Sequence, residues 1–260
     1  MTPSTLPAVV FIGAGPGAAD LITVRGAQRL AAARVVLFDA LTDPALRDLA
    51  PAAEWIAVGK RGFDYAELQA NINALLLRHA PGGGVVRLKG GDPSIFGRLE
   101  EELQALQAAG HACEVVPGVT SALAAAAQAG RPLTRRGSGR SVSLTTAMTH
   151  LGRLQATRTA DTEVFYMAGR QLAELSARLR EAGWADAEPV SVMSRAGWPD
   201  ALLTQHTVAT LAEAAATHAG RPAVVTVGAG AAPVLAEAAA PAADLPGLAP
   251  PQDTAADPAP

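Results

Sequence analysis

Five short apolar runs, set apart by stretches of helical periodicity, constrain the first half of this chain more than any other feature. They fall at residues 8–12, 35–38, 55–58, 85–88 and 112–116, each of strand length. Between them, Leu68, Ile72, Leu75 and Leu76 share one helical face, as do Leu99, Leu103 and Leu106 before a stop at Gly110. Strands alternating with helices imply a largely parallel sheet covered on both sides, since parallel neighbours need a crossover and helices supply it.

The pattern breaks and restarts. Pro117-Gly118 turns the chain, 119–129 reads as an Ala-rich helix, and 131–140 as a basic loop containing glycine. A second series of strands follows at 141–145, 163–166, 190–193 and 224–227. Its helices are marked by Leu172, Leu175 and Leu179 before Gly183, and by the segment 208–216. The fold class is therefore α/β, with an N-terminal α/β domain over 7–136 and a C-terminal α/β domain over 137–233. A composition of 49% hydrophobic and 17% charged residues lets both bury a core. Residues 234–260, dominated by Ala, Pro, Gly and Asp, have little to bury and read as a disordered tail.

A formal net charge of −3 argues against a nucleic-acid surface. Cys113 is the single cysteine, so neither an internal disulfide nor a cysteine-based zinc site can form. The five histidines show no metal-ligand spacing, and no metal is expected. No leader pattern opens the chain and no span is apolar enough for a bilayer, so a cytoplasmic protein without a membrane partner is expected.

Chemistry concentrates where the fourth run ends. Leu88-Lys89-Gly90-Gly91-Asp92-Pro93 carries a strand into two glycines, an aspartate, and a proline that forbids the strand to continue. Adjacent glycines there let a ligand lie against bare backbone, and ligands of open α/β sheets bind outside the carboxyl ends of strands. Asp92 adds a carboxylate to the same rim. The first run ends in another glycine loop, Gly13-Ala14-Gly15-Pro16-Gly17-Ala18, ahead of a helix that Asp20 is placed to cap. It satisfies G-x-G-x-x-A, and Asp39 stands about 20 residues on, where a dinucleotide-binding fold keeps its ribose-binding acid. Against that reading, Pro16 offers no N–H to a pyrophosphate, and the fingerprint leaves Gly90-Gly91-Asp92 without a role. A third reading makes these glycines a tight strand-to-helix turn and nothing more.

Several segments then occur in a telling order. They are Gly13-Ala14-Gly15-Pro16-Gly17 with Leu21-Ile22-Thr23-Val24, then Phe38-Asp39, then Val58-Gly59-Lys60-Arg61. Leu88-Lys89-Gly90-Gly91-Asp92-Pro93-Ser94-Ile95-Phe96-Gly97-Arg98 and Val116-Pro117-Gly118-Val119-Thr120-Ser121 complete the set. It closely resembles the tetrapyrrole methylase family over about residues 8 to 230, most densely up to 145. The resemblance implies a homodimer with S-adenosylmethionine folded in the cleft between two α/β domains. Carried over position by position, it implies cofactor contacts at Pro16, Gly90, Gly91, Asp92, Ile95, Thr120, Ser121, Met167 and Ala196. Pro16 and Met167 suit adenine and the thioether, and Asp92 can accept hydrogen bonds from a cationic ligand.

The resemblance further implies a polycarboxylate cyclic tetrapyrrole as substrate, which Arg61, Arg98, Arg135 and Arg136 would neutralise with Arg131, Arg140 and Lys60. The implied reaction moves methyl groups from a sulfonium to two pyrrole carbons of uroporphyrinogen III, giving precorrin-2 for sirohaem or cobalamin synthesis. Such an in-line displacement needs no covalent enzyme intermediate and no metal; alignment and desolvation carry the rate. The new carbon centre later loses a proton, and the resemblance places an acid–base pair at Asp39 and Lys60. Lys60 serves either as proton donor or as counter-ion.

Departures from the family pattern gather on the substrate side. Gly62-Phe63-Asp64-Tyr65 replaces a segment that usually holds a histidine, and Leu133-Thr134-Arg135-Arg136 stands for Leu-Thr-His-Arg. Ala168 intervenes between Met167 and Gly169, and the Gln-Arg pair expected near 201–203 is absent. Another methyltransferase of the corrin pathway therefore stays in play. So does, from a different class, a Rossmann-type NAD or FAD oxidoreductase. A non-catalytic tetrapyrrole-binding protein would leave the Gly90-Gly91-Asp92 rim unexplained.

Overall fold

The structure, a computed structural model, describes residues 7–58, 65–147 and 154–234. Lys60, Arg61, the Gly62-Phe63-Asp64 departure and the expected tail beyond 234 lie outside the described residues.

The first sheet is parallel throughout. Its strands β1 (Val9–Gly13), β2 (Val35–Phe38), β3 (Glu54–Ala57), β4 (Val85–Lys89) and β5 (Cys113–Val116) lie in the order β3-β2-β4-β1-β5. Strands β1 and β4 are buried along their whole length because helices cover both faces. Val9 and Phe11 point toward Ile72 and Leu76 of α2 (Tyr65–His79) and Leu106 of α3 (Leu99–Ala108). Val10 and Ile12 point the other way, toward Leu30 of α1 (Val24–Ala31) and Leu46. The period-two alternation thus divides one apolar run between two cores. Each Leu or Phe buried this way contributes roughly 1.5–3 kcal/mol, so the double cover holds these strands in place.

Helix α1 begins later than expected, and its cap needs correcting. Asp20 falls within a short 3₁₀ turn, Ala19–Leu21. Thr23 caps instead, its Oγ1 accepting from the Gly26 N–H at 3.1 Å. A cap needs extended backbone just before the first helical turn, and Thr23 supplies it at φ −70°, ψ 152°.

The second sheet is mixed. Strands β6 (Val142–Thr146), β7 (Thr162–Tyr166), β8 (Pro189–Ser194), β9 (Leu202–Thr207) and β10 (Ala223–Gly228) lie in the order β6-β7-β10-β8-β9, with only β6 and β7 parallel. The sequence reading lacks β9, an edge strand that needs little apolar character because one side faces out. Leu172, Leu175 and Leu179 of α5 (Leu172–Glu181) pack on one face. On the other, Ala122, Ala124 and Ala125 of α4 (Ser121–Ala129) meet Val164, Tyr166, Met193 and Val224. The expected boundary at 136 counts α4 with the first domain, yet its packed face lies on the second sheet. The expected helix at 208–216 shrinks to a 3₁₀ turn, Leu211–Glu213, and α6 (Ala214–Thr217). Among the described residues, no helix is long and apolar enough to cross a membrane.

Candidate active site

Strands β1, β4 and β5 end side by side, and their glycines interlock. A Cβ on Gly13 would stand 2.5 Å from Gly118 Cα, and one on Gly118 would stand 2.3 Å from the Gly91 carbonyl oxygen. No side chain fits there, so three strand ends meet only through bare backbone. Gly91 and Gly15 also pair: the Gly91 N–H donates to Gly15 O at 2.7 Å, and the Gly15 N–H to Gly91 O at 3.3 Å. The outer side of Gly91 is different. Its φ is +70°, and nothing lies within 3.9 Å of where a Cβ would project. Gly90 is similarly open, its nearest neighbour being Leu41 Cβ at 3.5 Å. Bare backbone therefore faces the space beyond the strand ends.

Asp92 shapes this rim. Its Oδ1 accepts from the Ser94 N–H at 2.8 Å and from the Ser94 hydroxyl, and its Oδ2 accepts from the Gly118 N–H at 2.9 Å. Partial burial alone would raise its pKa, but the Ser94 hydroxyl and the two N–H donors outweigh it and hold the carboxyl below the usual range. Both oxygens thus bind the loops themselves, a structural role for Asp92 that the sequence did not show.

The dinucleotide reading fails on the same loops. A pyrophosphate cradle needs unspent N–H donors, whereas Ala14 donates to Lys89 O, Gly15 to Gly91 O and Ala18 to Gly197 O. Pro16 has none to give. The loop also leads into a 3₁₀ turn, so no α-helix N-terminus follows it directly.

The second sheet closes on this rim through two turns. Tyr166, at the end of β7, shares a 2.8 Å hydrogen bond between its hydroxyl and Thr120 Oγ1, and its ring lies 5.1 Å from that of Phe96. Burial pushes the Tyr166 hydroxyl pKa up. Beyond β8, the Trp198 indole N–H donates to Pro16 O at 3.1 Å, and the Gly197 N–H donates to Gln128 Oε1 at 3.0 Å. A Cβ on Gly17 would stand 2.4 Å from Gly197 C, so the two loops touch backbone to backbone. Among the described residues, four that are not glycine have positive φ: Phe96 (53°), Arg98 (54°), Met167 (60°) and Arg195 (54°). All four belong to the loops bordering this seam, where strain of about 1–3 kcal/mol each is characteristic of functional sites. Pro16, Ile95, Thr120, Ser121, Met167 and Ala196 accordingly stand with the glycines along one seam. Gln128, Tyr166 and Trp198 escaped the sequence reading.

A model of the tetrapyrrole (corrin/porphyrin) methylases matches residues 8–215. The chain belongs to this family. A uroporphyrinogen-III C-methyltransferase of Pseudomonas aeruginosa is 42% identical over 193 residues, 72% of this chain and 79% of that one. A siroheme synthase of Serratia proteamaculans is 42% identical over 227 residues, 85% of this chain and 48% of its own length. This chain thus spans about half the length of the siroheme synthases it matches. Among solved structures, a uroporphyrin-III C-methyltransferase of Thermus thermophilus complexed with S-adenosylhomocysteine superposes with a TM-score of 0.74. It is 35% identical, and the match covers 85% of this chain and 96% of that one.

In this tetrapyrrole methylase, Asp39 directly follows β2, and its carboxylate Oδ1 lies 2.6 Å from Arg87 Nη2. Arg87 is buried within β4, as is Lys89, whose Nζ lies 2.9 Å from Glu102 Oε1. Desolvation and the neighbouring Arg87 lower the Lys89 pKa against the pull of Glu102. The sequence carried a signal for this cluster: two cations two residues apart in an apolar strand must share one buried face.

The arginine loop needs correcting. Arg131 is buried, donating to Ala231 O, and Arg135 donates to Ala232 O and, at 3.1 Å, to Pro233 O. Both guanidiniums fasten the 231–233 segment. Arg136 is exposed, on the loop that follows the C-terminal end of α4. Arg98 stands two residues beyond Phe96, paired with Glu101 at 2.7 Å.

Proposed function

We propose that this chain transfers methyl groups from S-adenosylmethionine to two pyrrole carbons of uroporphyrinogen III, giving precorrin-2 for sirohaem or cobalamin synthesis. The observation that carries this reading is the bare, outward-facing backbone of Gly90 and Gly91 on the seam, in a chain of this family. Pro16, Gly90, Gly91, Ile95, Thr120 and Ser121 would hold the donor from the first sheet's side, Met167 and Ala196 from the second's. Asp92 contributes by fixing the rim. Bound there, S-adenosylmethionine supplies an electrophilic methyl group.

The chain's own part is alignment and exclusion of water. The open side of Gly91 permits approach to backbone that any side chain would obstruct. Met167 and Phe96, 55% and 42% exposed, present apolar surface beside it. Asp39 stands at a neighbouring strand end and acts as the base for the proton lost from the methylated carbon, with Lys60 as its acid partner or a counter-ion. Arg98, whose partner Glu101 is exposed and exchangeable, meets substrate carboxylates together with Arg61. Arg136, exposed on the loop after α4, would join them. We assign the protein to the cytoplasm as a homodimer, which light scattering on the purified chain checks.

The deciding experiment incubates the protein with uroporphyrinogen III and S-adenosylmethionine and weighs the products. Species heavier by one and then two methyl groups support the reading. An unmodified substrate, with methylation of later corrin intermediates instead, moves the activity elsewhere in the pathway. Calorimetry should show binding of S-adenosylhomocysteine and none of NADH.

A further inference from the structure

We infer that Arg87 is the positioning residue that fixes the Asp39 carboxylate at the rim, and that Glu102 and Lys89 hold Arg87 for that task. The inference rests on the reading of Asp39 as base. Arg87 lies on a central strand with its side chain 2% exposed; Glu102 is 1% and Lys89 3% exposed. The guanidinium is held on several sides. Its Nη1 donates to Leu88 O at 3.1 Å and to Leu37 O at 3.4 Å, and its Nε to Glu102 Oε1 at 3.3 Å. Glu102 is fastened in turn by Lys89 Nζ at 2.9 Å and by Gln69 Nε2 at 3.4 Å. The remaining nitrogen, Nη2, makes the 2.6 Å contact to Asp39.

Stability does not account for this arrangement. Buried ion pairs seldom outperform apolar residues of the same volume, and the surrounding face already offers Phe11, Leu37, Leu76 and Leu106 for packing. Asp39 is the cluster's outlet to the seam: at 32% its side chain is far more exposed than the other charged members. A carboxylate just past a strand end would otherwise turn freely about χ1 and χ2. One arm of a planar, doubly anchored fork removes that freedom, which a flexible lysine could not do as well. A base that must reach one carbon needs such restraint, since misplacement by about 1 Å can cost 10²-fold in rate.

The test is a double-mutant cycle on kcat for methyl transfer, using wild type, D39N, R87M and D39N/R87M. D39N should lower kcat by about 10²-fold and R87M by about tenfold, within the range that misplacement costs. The double variant should be no slower than D39N, because Arg87 acts only through Asp39. The tetrapyrrole KM and the S-adenosylhomocysteine Kd should stay within about twofold throughout, which a merely structural residue would not ensure. Should R87M not fold, R87K replaces it in the cycle, keeping the charge but giving up the fork, and its kcat should still fall below wild type, by less than about tenfold. A further drop when Arg87 is changed in the D39N background overturns the inference alone, as does a wild-type rate in the Arg87 variant. An unchanged kcat in D39N overturns the base reading and the inference with it.

Discussion

All five strands of the first sheet point one way, so the loops following them leave one edge; in the second sheet three of four pairings are antiparallel, and loops leave both. The parallel arrangement brings the ends of β1, β4 and β5 together and lets three glycines interlock into a rim of exposed backbone. The mixed sheet reaches the same seam with two turns, at 166–167 and 195–198, each containing a residue in strained backbone. Their buried polar groups differ as well. The first sheet pairs its charges in the Asp39–Arg87–Glu102–Lys89 cluster, whereas the second buries His218 with Nε2 2.8 Å from Thr204 Oγ1 and Nδ1 unpartnered among the described residues. A parallel edge concentrates chemistry; the mixed sheet supports and closes it.

Gly118→Ala should break the first half of this comparison with the largest effect. Its Cβ would meet the Gly91 carbonyl, a backbone atom with no rotamer to escape into. We expect a loss of about 3 kcal/mol, or about 10 °C in thermal midpoint. A midpoint lowered by less than about 2 °C would show that the interlock does not set how closely the strand ends meet.

Gly91→Val probes the same rim from its open side. Its Cβ meets no atom closer than 3.9 Å, and the positive φ costs about 1–2 kcal/mol, so the fold should survive, which the melting curve checks. Calorimetric affinity for S-adenosylhomocysteine should fall by at least about 100-fold, since a branched side chain takes the place of bare backbone. Unchanged binding by a folded variant would put the donor site elsewhere.

Trp198→Phe tests the closing role of the second sheet. It deletes one hydrogen bond to Pro16, worth about 1 kcal/mol, and should weaken S-adenosylhomocysteine about fivefold without shifting the melt by more than a few degrees. A loss as large as that of Gly91→Val would make the second sheet a primary binding element, and the comparison would have to be redrawn.

Acid should separate the two sheets by the smallest margin. Burial, with His206 and Arg221 adding to it, lowers the His218 pKa. A lowered histidine pKa means the unfolded chain binds more protons, so this contribution is intact above about pH 6.5 and is lost as pH falls below it. Asp92, also lowered, keeps its contribution down to about pH 4 and loses it below. Amide hydrogen exchange should therefore show β8–β9 loosening in mild acid while the 91–118 rim stays protected, and His218→Gln should delay that step. Simultaneous loosening would deny the two sheets separate acid responses.

Much of this was legible in residue order. Val35–Phe38 stands as a strand with the bounds read from its apolar run, because strand periodicity and turn residues act over a few neighbours. Gly90-Gly91 and Pro93 marked the rim for the same reason. Edge strand β9 was not legible: with one open edge, Leu202–Thr207 needs no apolar run to pair with β8. Nor was the fate of the arginines. Composition made 131–140 a basic loop, but only packing showed Arg135 fastened to carbonyls 97 and 98 residues downstream.

Residue order alone settled the first sheet's strands, the family and the glycines at the strand ends. Tertiary structure alone decided that Gly13, Gly91 and Gly118 touch, that Asp92 serves its own loops, that Trp198 reaches Pro16 and that Arg87 holds Asp39. Those are choices of partner across 26 to 182 residues for Asp92 and Trp198, and 48 for Arg87. Local propensity cannot make them, because contact between distant residues is settled by how whole elements pack and by which polar group would otherwise be buried alone.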